Sequence, residues 1–89
     1  MTAPVSYTAT GRIGTIVIDS PPVNALSHGV RHGIIECLKV AEADDTEIVI
    51  LRCEGRTFIA GADITEFGKP PQAPTLAAVL AALESHPKP

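Results

Sequence analysis

The sequence predicts an α/β fold in which two short strands, one long helix and a further strand follow one another along the chain. Three observations carry the prediction. Val5 and Tyr7, followed by Ile13, Ile16 and Ile18, give two β-like runs separated by Gly11-Arg12. From Val30 onward, Ile34, Leu38 and Ala41, with Cys37 beside them, recur at helical spacing. Ile48-Val49-Ile50-Leu51 is a continuous apolar, largely β-branched run bounded by acidic residues and Gly55.

Each element has a local cause. The first two runs alternate and are broken by a glycine, which is the pattern of an opening hairpin. The second run stops at Ser20-Pro21-Pro22, where two prolines remove backbone donors and restrict the residues before them. An extended loop from Ser20 to Ala25 is expected, with Ser27 as the cap of the helix that follows. That helix should run for about four turns, with Arg31, Glu36, Lys39 and Glu42 away from its apolar stripe and Asp44-Asp45 at its end. Gly29 and Gly33 lower its intrinsic propensity by about 1 kcal/mol each relative to alanine, so it must depend on packing. The run from Ile48 reads as a strand covered on both faces, and a right-handed crossover through the helix would set it parallel to an earlier strand. Beyond it lie the loop from Thr57 to Asp63, a short turn near Ile64 to Gly68 and the breaker-rich stretch Lys69 to Pro74. A second amphipathic helix capped by Thr75 is expected to present Leu76, Val79, Leu80 and Leu83 on one face. The breakers before it are expected to detach it from the first layer, leaving the chain self-associating or partly disordered after Gly68. The end, His86-Pro87-Lys88-Pro89, reads as the lead-in to a further strand.

Composition narrows the function. With 89 residues the chain forms one small domain or part of one, and a domain of this size buries only about two-thirds of its unfolded surface. An apolar share of 45% and a formal net charge of -3 suit a globular protein, and no basic stripe or aromatic platform suggests nucleic-acid binding. No apolar stretch is long enough for a membrane span and the N-terminus has no signal-peptide order, so a cytoplasmic location is expected. Cys37 and Cys53 form neither a CxxC motif nor a metal spacing and read as buried thiols.

Chemistry concentrates in Phe58-Ile59-Ala60-Gly61-Ala62-Asp63-Ile64, a loop of small residues between a strand and a short helical turn. Small side chains let a ligand approach the main chain, and the free N–H groups at a helix start favour negative charge, so such a loop can hold an oxyanion. The same segment also reads as a tight strand-to-helix turn in which Asp63 only caps the helix. His28 and His32 are spaced i, i+4 without an evident third ligand, Glu66 suits the start of a helix, and His86 sits where a cation favours a helix end. The glycines spell neither a dinucleotide fingerprint nor a P-loop.

Two segments together resemble a known family. Phe58 to Phe67 is similar to the acyl-CoA-binding loop of the crotonase (enoyl-CoA hydratase/isomerase) family, and Pro22-Val23-Asn24-Ala25-Leu26 to that family's earlier loop, at the expected distance upstream. The wording Gly-Ala-Asp-Ile-Thr-Glu-Phe and the Pro87-Lys88-Pro89 end most resemble the N-terminal hydratase/isomerase part of multifunctional fatty-acid oxidation proteins. The resemblance spans residues 1–89 as the N-terminal portion of one crotonase-like spiral domain, about its first half. It implies a parent enzyme, a hydratase (lyase) or isomerase of fatty-acid metabolism, acting on acyl-CoA thioesters. No tightly bound cofactor and no metal are implied; coenzyme A enters as part of the substrate. The Ala62 backbone N–H is implied as one of two oxyanion-hole donors, and Val23, Ala25, Ala60, Ala62, Asp63 and Ile64 as lining the coenzyme-A site. The second donor and the acid/base carboxylates fall beyond Pro89, so the remainder of the crotonase domain is an implied partner, the chain alone is expected to be inactive, and homo-oligomerisation is left open. The match departs at Pro21-Pro22, where many members carry a basic residue. A small α/β binding module, with the glycine loop as a mere turn, is the alternative; a finished module would have a closed core, whereas part of a domain would leave apolar edges uncovered.

Overall fold

The computed structural model describes residues 4–21, 24–59, 61, 68, 70 and 72–89. Strands β1 (Val5–Thr10) and β2 (Ile13–Ile18) form the expected hairpin, antiparallel in register from Val5 opposite Ile18 to Thr10 opposite Ile13. Gly11 turns the chain with φ 59, a conformation that glycine adopts without the steric penalty of a side chain. Helix α1 (His28–Ala43) then crosses over and returns the chain to β3 (Ile48–Cys53), which pairs parallel to β2 with Ile13 opposite Ile48. Among the described residues the sheet has the order β1-β2-β3, and helix α2 (Leu76–Ser85) lies beside α1.

The helix boundaries follow the predicted caps. Ser27 Oγ accepts from the Val30 N–H and Thr75 Oγ1 from the Ala78 N–H, each satisfying a donor that the first helical turn leaves unpaired. Asp44 closes α1 with its own N–H on the Val40 carbonyl. The core lies between α1 and one face of the sheet, where Val30, Ile34 and Leu38 pack against Val5, Ile16 and Ile18, with Val79 of α2 added from the side. Ile16, Ile18, Val30 and Ile34 are fully buried. Gly33 is required here by space: a Cβ on it would stand 2.6 Å from Val5 Cβ.

Four expectations are corrected. β3 is not covered on both faces, since Ile48 is 47% and Ile50 43% exposed; only Val49, Leu51 and Cys53, which alternate with them, turn toward the core. Leu80 is exposed, because Leu76, Val79 and Leu83 make the stripe that meets α1 and Leu80 lies a hundred degrees from Val79 around the helix. Arg31, assigned to the polar side of α1, is buried. Finally, α2 is not detached: Val79 is buried in the shared core, and the backbone before the helix is tied to α1 by side chains described below.

A polar cluster closes the far end of α1. Asp44 receives hydrogen bonds from the Tyr7 hydroxyl, the Thr46 hydroxyl and the Thr46 N–H, and pairs with Lys88 at 3.1 Å. Lys88 Nζ also donates to the Ala41 carbonyl and to the Asp44 carbonyl. The Thr46 and Tyr7 hydrogen bonds hold the Asp44 carboxyl well below the ordinary carboxylate range, while burial and the bond to Asp44 push the Tyr7 phenol up. The segment that carries Lys88 runs along β3, where the Val49 N–H donates to the Pro89 carbonyl at 2.9 Å.

Candidate acyl-thioester loop site

The site begins with the residue that the two prolines deliver. Asn24 takes φ 54, a left-handed conformation that asparagine tolerates better than most residues. It is only 3% exposed, and its side chain is fully occupied. Its Oδ1 accepts from the Ser20 N–H at 2.8 Å, while its Nδ2 donates to the Glu54 carbonyl at 2.9 Å and the Thr57 carbonyl at 2.7 Å. The loop after β2 is thereby stapled to the loop after β3. Each such bond contributes about 1 kcal/mol net, and losing the side chain would strand its partners inside the protein.

A second tie lies two residues on. The Leu26 N–H donates to the Gly61 carbonyl at 2.7 Å, so the Asn-Ala-Leu element runs directly beside the glycine of the small-residue loop. Gly61 has φ 125, which side-chain-bearing residues rarely adopt, and a Cβ there would meet no described residue within 4 Å. Its requirement for glycine is conformational.

Arg31 completes the frame. Its Nη1 donates to the Leu26 carbonyl at 2.7 Å, its Nε to the Pro74 carbonyl at 2.7 Å and its Nη2 to the Gln72 carbonyl at 3.3 Å. A planar fork of donors can serve carbonyls from two segments at once, which explains why a cation is stable in a nearly dry position. His28 adds a bond from Nε2 to the Ala73 carbonyl at 2.9 Å and stacks on His32, with ring centroids 6.3 Å apart. The histidine pair thus belongs to the frame of the 72–74 segment.

Of the residues that the sequence singled out for the site, Ala25 is described and half-buried between Asn24 and Leu26. Val23, Ala60, Ala62, Asp63 and Ile64 lie outside the described residues, as does Glu66. Of the two motifs, the described residues Leu26 and Gly61 are brought together by the bond between them. Sequence reasoning overlooked Asn24 and Arg31 as framing residues. Asn24 carried a usable signal, since an asparagine soon after paired prolines marks a turn. Arg31 carried none, because its acceptors are main-chain carbonyls that any sequence could supply.

Cys37 and Cys53 are half-buried free thiols, and burial pushes both thiol pKa values up. His86 Nε2 donates to the Leu38 carbonyl at 3.0 Å. Among the described residues, no helix is long and apolar enough to cross a membrane.

Known proteins share this fold. A solved enoyl-CoA hydratase/isomerase family member superposes with a TM-score of 0.83 at 28% identity, over 99% of this chain and 38% of that one. The shared architecture is crotonase-like. The sequence model of the enoyl-CoA hydratase/isomerase family matches residues 8–84, and the chain belongs to that family. The peroxisomal bifunctional enzyme of Danio rerio is 40% identical over 78 residues, 86% of this chain and 11% of that protein. A probable enoyl-CoA hydratase of Bacillus subtilis is 41% identical over 56 residues, 62% of this chain and 22% of that protein. The chain therefore spans about a tenth and about a fifth of the length of these two relatives.

Proposed function

We propose that residues 1–89 are the N-terminal part of an enoyl-CoA hydratase/isomerase domain and supply its acyl-CoA-binding loop together with one of its two oxyanion donors. The observation that carries the proposal is the Leu26 N–H to Gly61 carbonyl bond, which joins the two family motifs at one place in the fold. The uncovered apolar face of Ile13, Ile48 and Ile50 supports the reading as part of a larger domain over that of a finished module.

In this reading the substrate is a trans-2-enoyl-CoA thioester of fatty-acid metabolism. Water adds its oxygen to C3 and a proton to C2, and as the C3–O bond forms the electron pair of the double bond moves toward the thioester carbonyl. The oxygen then carries an enolate-like negative charge. A donor fixed before reaction, the Ala62 N–H, stabilises that charge without reorganisation, and losing one such donor typically costs about 3 to 4 kcal/mol. Backbone atoms at Val23, Ala25, Ala60, Asp63 and Ile64 would hold the coenzyme-A portion. The second donor and the carboxylates that move protons to and from water would come from the remainder of the domain. Turnover by the isolated chain is therefore not expected.

Binding can be tested on the chain itself. Titrating the ¹⁵N-labelled protein with crotonyl-CoA should shift the amide resonances of Ala25, Gly61 and Ala62 together. Shifts confined to other elements, or none up to millimolar ligand, would overturn the assignment.

A further inference from the structure

We infer that His86 is a proton-sensitive latch: in its neutral form it fixes the turn that carries Lys88 onto the end of α1 and Pro89 onto β3, and taking up a proton loosens both contacts. The tautomer follows from the partners of the ring. Nε2 lies 3.0 Å from the Leu38 carbonyl, and a carbonyl can only accept, so Nε2 bears the hydrogen. Nδ1 lies 3.2 Å from the Lys88 nitrogen, whose N–H can only donate, so Nδ1 presents its lone pair. A single neutral tautomer meets both demands. A protonated imidazole donates at both nitrogens, so it keeps the bond to Leu38 and sets an N–H against the N–H of Lys88. Histidine is the side chain whose ordinary titration falls between pH 5 and 8.

The charges around the ring leave the decision to that mismatch. His86 lines a groove between the two helices with Lys39 and Glu42 of α1 and Ser85 of α2. Lys39 and Glu42 are exposed and opposite in sign, so their effects on an imidazolium oppose each other and are screened by water. Lys88, the cation of the same segment, is engaged by the Asp44 carboxylate at 3.1 Å and by the Ala41 and Asp44 carbonyls. One residue further, the Pro89 carbonyl receives the Val49 N–H at 2.9 Å. The bond at Nδ1 therefore sets the direction of a turn on which the helix end and the β3 edge both depend. Losing one hydrogen bond should weaken this docking by about two- to tenfold. Lys88 keeps its own partners, so acid loosens the segment without unfolding the domain.

The test is an NMR titration of the ¹⁵N-labelled chain from pH 8 to pH 5. At pH 8 the His86 ring should carry its proton on Nε2. Protection of the Val49 amide against hydrogen exchange, corrected for the intrinsic pH dependence of exchange, should fall about two- to tenfold with the midpoint of the His86 ring, while the amides of the β1–β2 hairpin keep theirs. His86→Asn gives up the Leu38 bond at every pH but offers the Lys88 N–H an acceptor that does not titrate, so Val49 protection should stay level across the range. A neutral ring with its proton on Nδ1, or Val49 protection that does not follow the His86 midpoint, would overturn the latch. A folded His86→Asn chain in which Val49 protection still falls over that range would overturn it as well. Should the variant fail to fold, the native titration decides alone through those first two outcomes.

Discussion

Gly29 and Gly33 lie one turn apart on α1 and look equivalent in sequence, yet their replacement by alanine should have opposite effects. Alanine gains up to about 1 kcal/mol of helix propensity over glycine in a helix interior, and less at Gly29 because it lies at the helix start. At Gly29 the new Cβ would find Pro4 Cγ at 3.7 Å, an ordinary contact, so only the gain remains. At Gly33 the Cβ would stand 2.6 Å from Val5 Cβ and 2.7 Å from Val5 Cγ2. Val5 Cβ is fixed to the β1 backbone and cannot swing aside, so helix and sheet must separate locally, and overpacking of this kind costs about 1 to 3 kcal/mol. Subtracting a propensity gain of about 1 kcal/mol leaves a net loss of up to about 2 kcal/mol. For a domain of this size the melting temperature should fall, by up to roughly 16 °C, for Gly33→Ala, whereas Gly29→Ala should raise it by a few degrees. Thermal unfolding followed by circular dichroism at one protein concentration measures both. A Gly33→Ala protein at least as stable as the native one would refute the contact between α1 and β1 as the reason for that glycine.

Three further outcomes follow from the site and the polar cluster. On the proposed function, in an active enzyme that carries residues 1–89 within a whole domain, Ala62→Gly should keep most activity, whereas Ala62→Pro should lower kcat by about 10²- to 10³-fold with the fold intact, since proline removes the proposed donor; a folded Ala62→Pro enzyme with near-native kcat would refute the oxyanion assignment. Because the folded state depresses the Asp44 pKa, stability from Asp44 is fully present above the ordinary carboxylate pKa and is lost as pH falls toward and below the depressed value. Urea unfolding between pH 6 and pH 2 should therefore show a steeper acid loss for the native chain than for Asp44→Asn, and parallel curves would refute the role of the cluster. Cys37 and Cys53, with raised thiol pKa values, should react with iodoacetamide more slowly at neutral pH in the folded chain than in urea; equal rates would contradict their burial.

Much of the fold was legible because local rules and global packing agree along this chain. Ser27 and Thr75 cap where a short polar side chain should, and Val30, Ile34, Leu38 and Ala41 turn inward at the helical period. The failures share a cause in non-local geometry. Ile48 and Ile50 read as buried because a run of β-branched residues records what a strand can bury, while the number of layers that cover it is set by the rest of the sheet. Arg31 read as a surface charge because periodicity weighs side chains, and its three acceptors are backbone carbonyls supplied by segments 5 to 43 residues away. The candidate site divides in the same way. Its motifs were visible as the strings Asn24-Ala25-Leu26 and Ala60-Gly61-Ala62, whereas the tie between them is a main-chain bond that no side-chain pattern encodes.

The lysine at the far end of α1 has a consequence for the order in which the chain matures during synthesis. The hairpin of β1 and β2 joins neighbours in sequence and can form soon after it leaves the ribosome. The last turn of α1 cannot be completed so early, because the ammonium that serves its Ala41 carbonyl and the Asp44 carbonyl belongs to Lys88, 47 and 44 residues later. At translation speeds of about 5 to 20 residues per second, that helix end waits roughly 2 to 9 s for its partner. Throughout that interval Asp44 carries a charge that no cation yet answers from Lys88, and the nascent helix end remains free to fray. Arrival of Lys88 therefore ends a vectorial process: the same ammonium that seals the helix brings Pro89 alongside β3, so one residue settles both the helix end and the strand beside it.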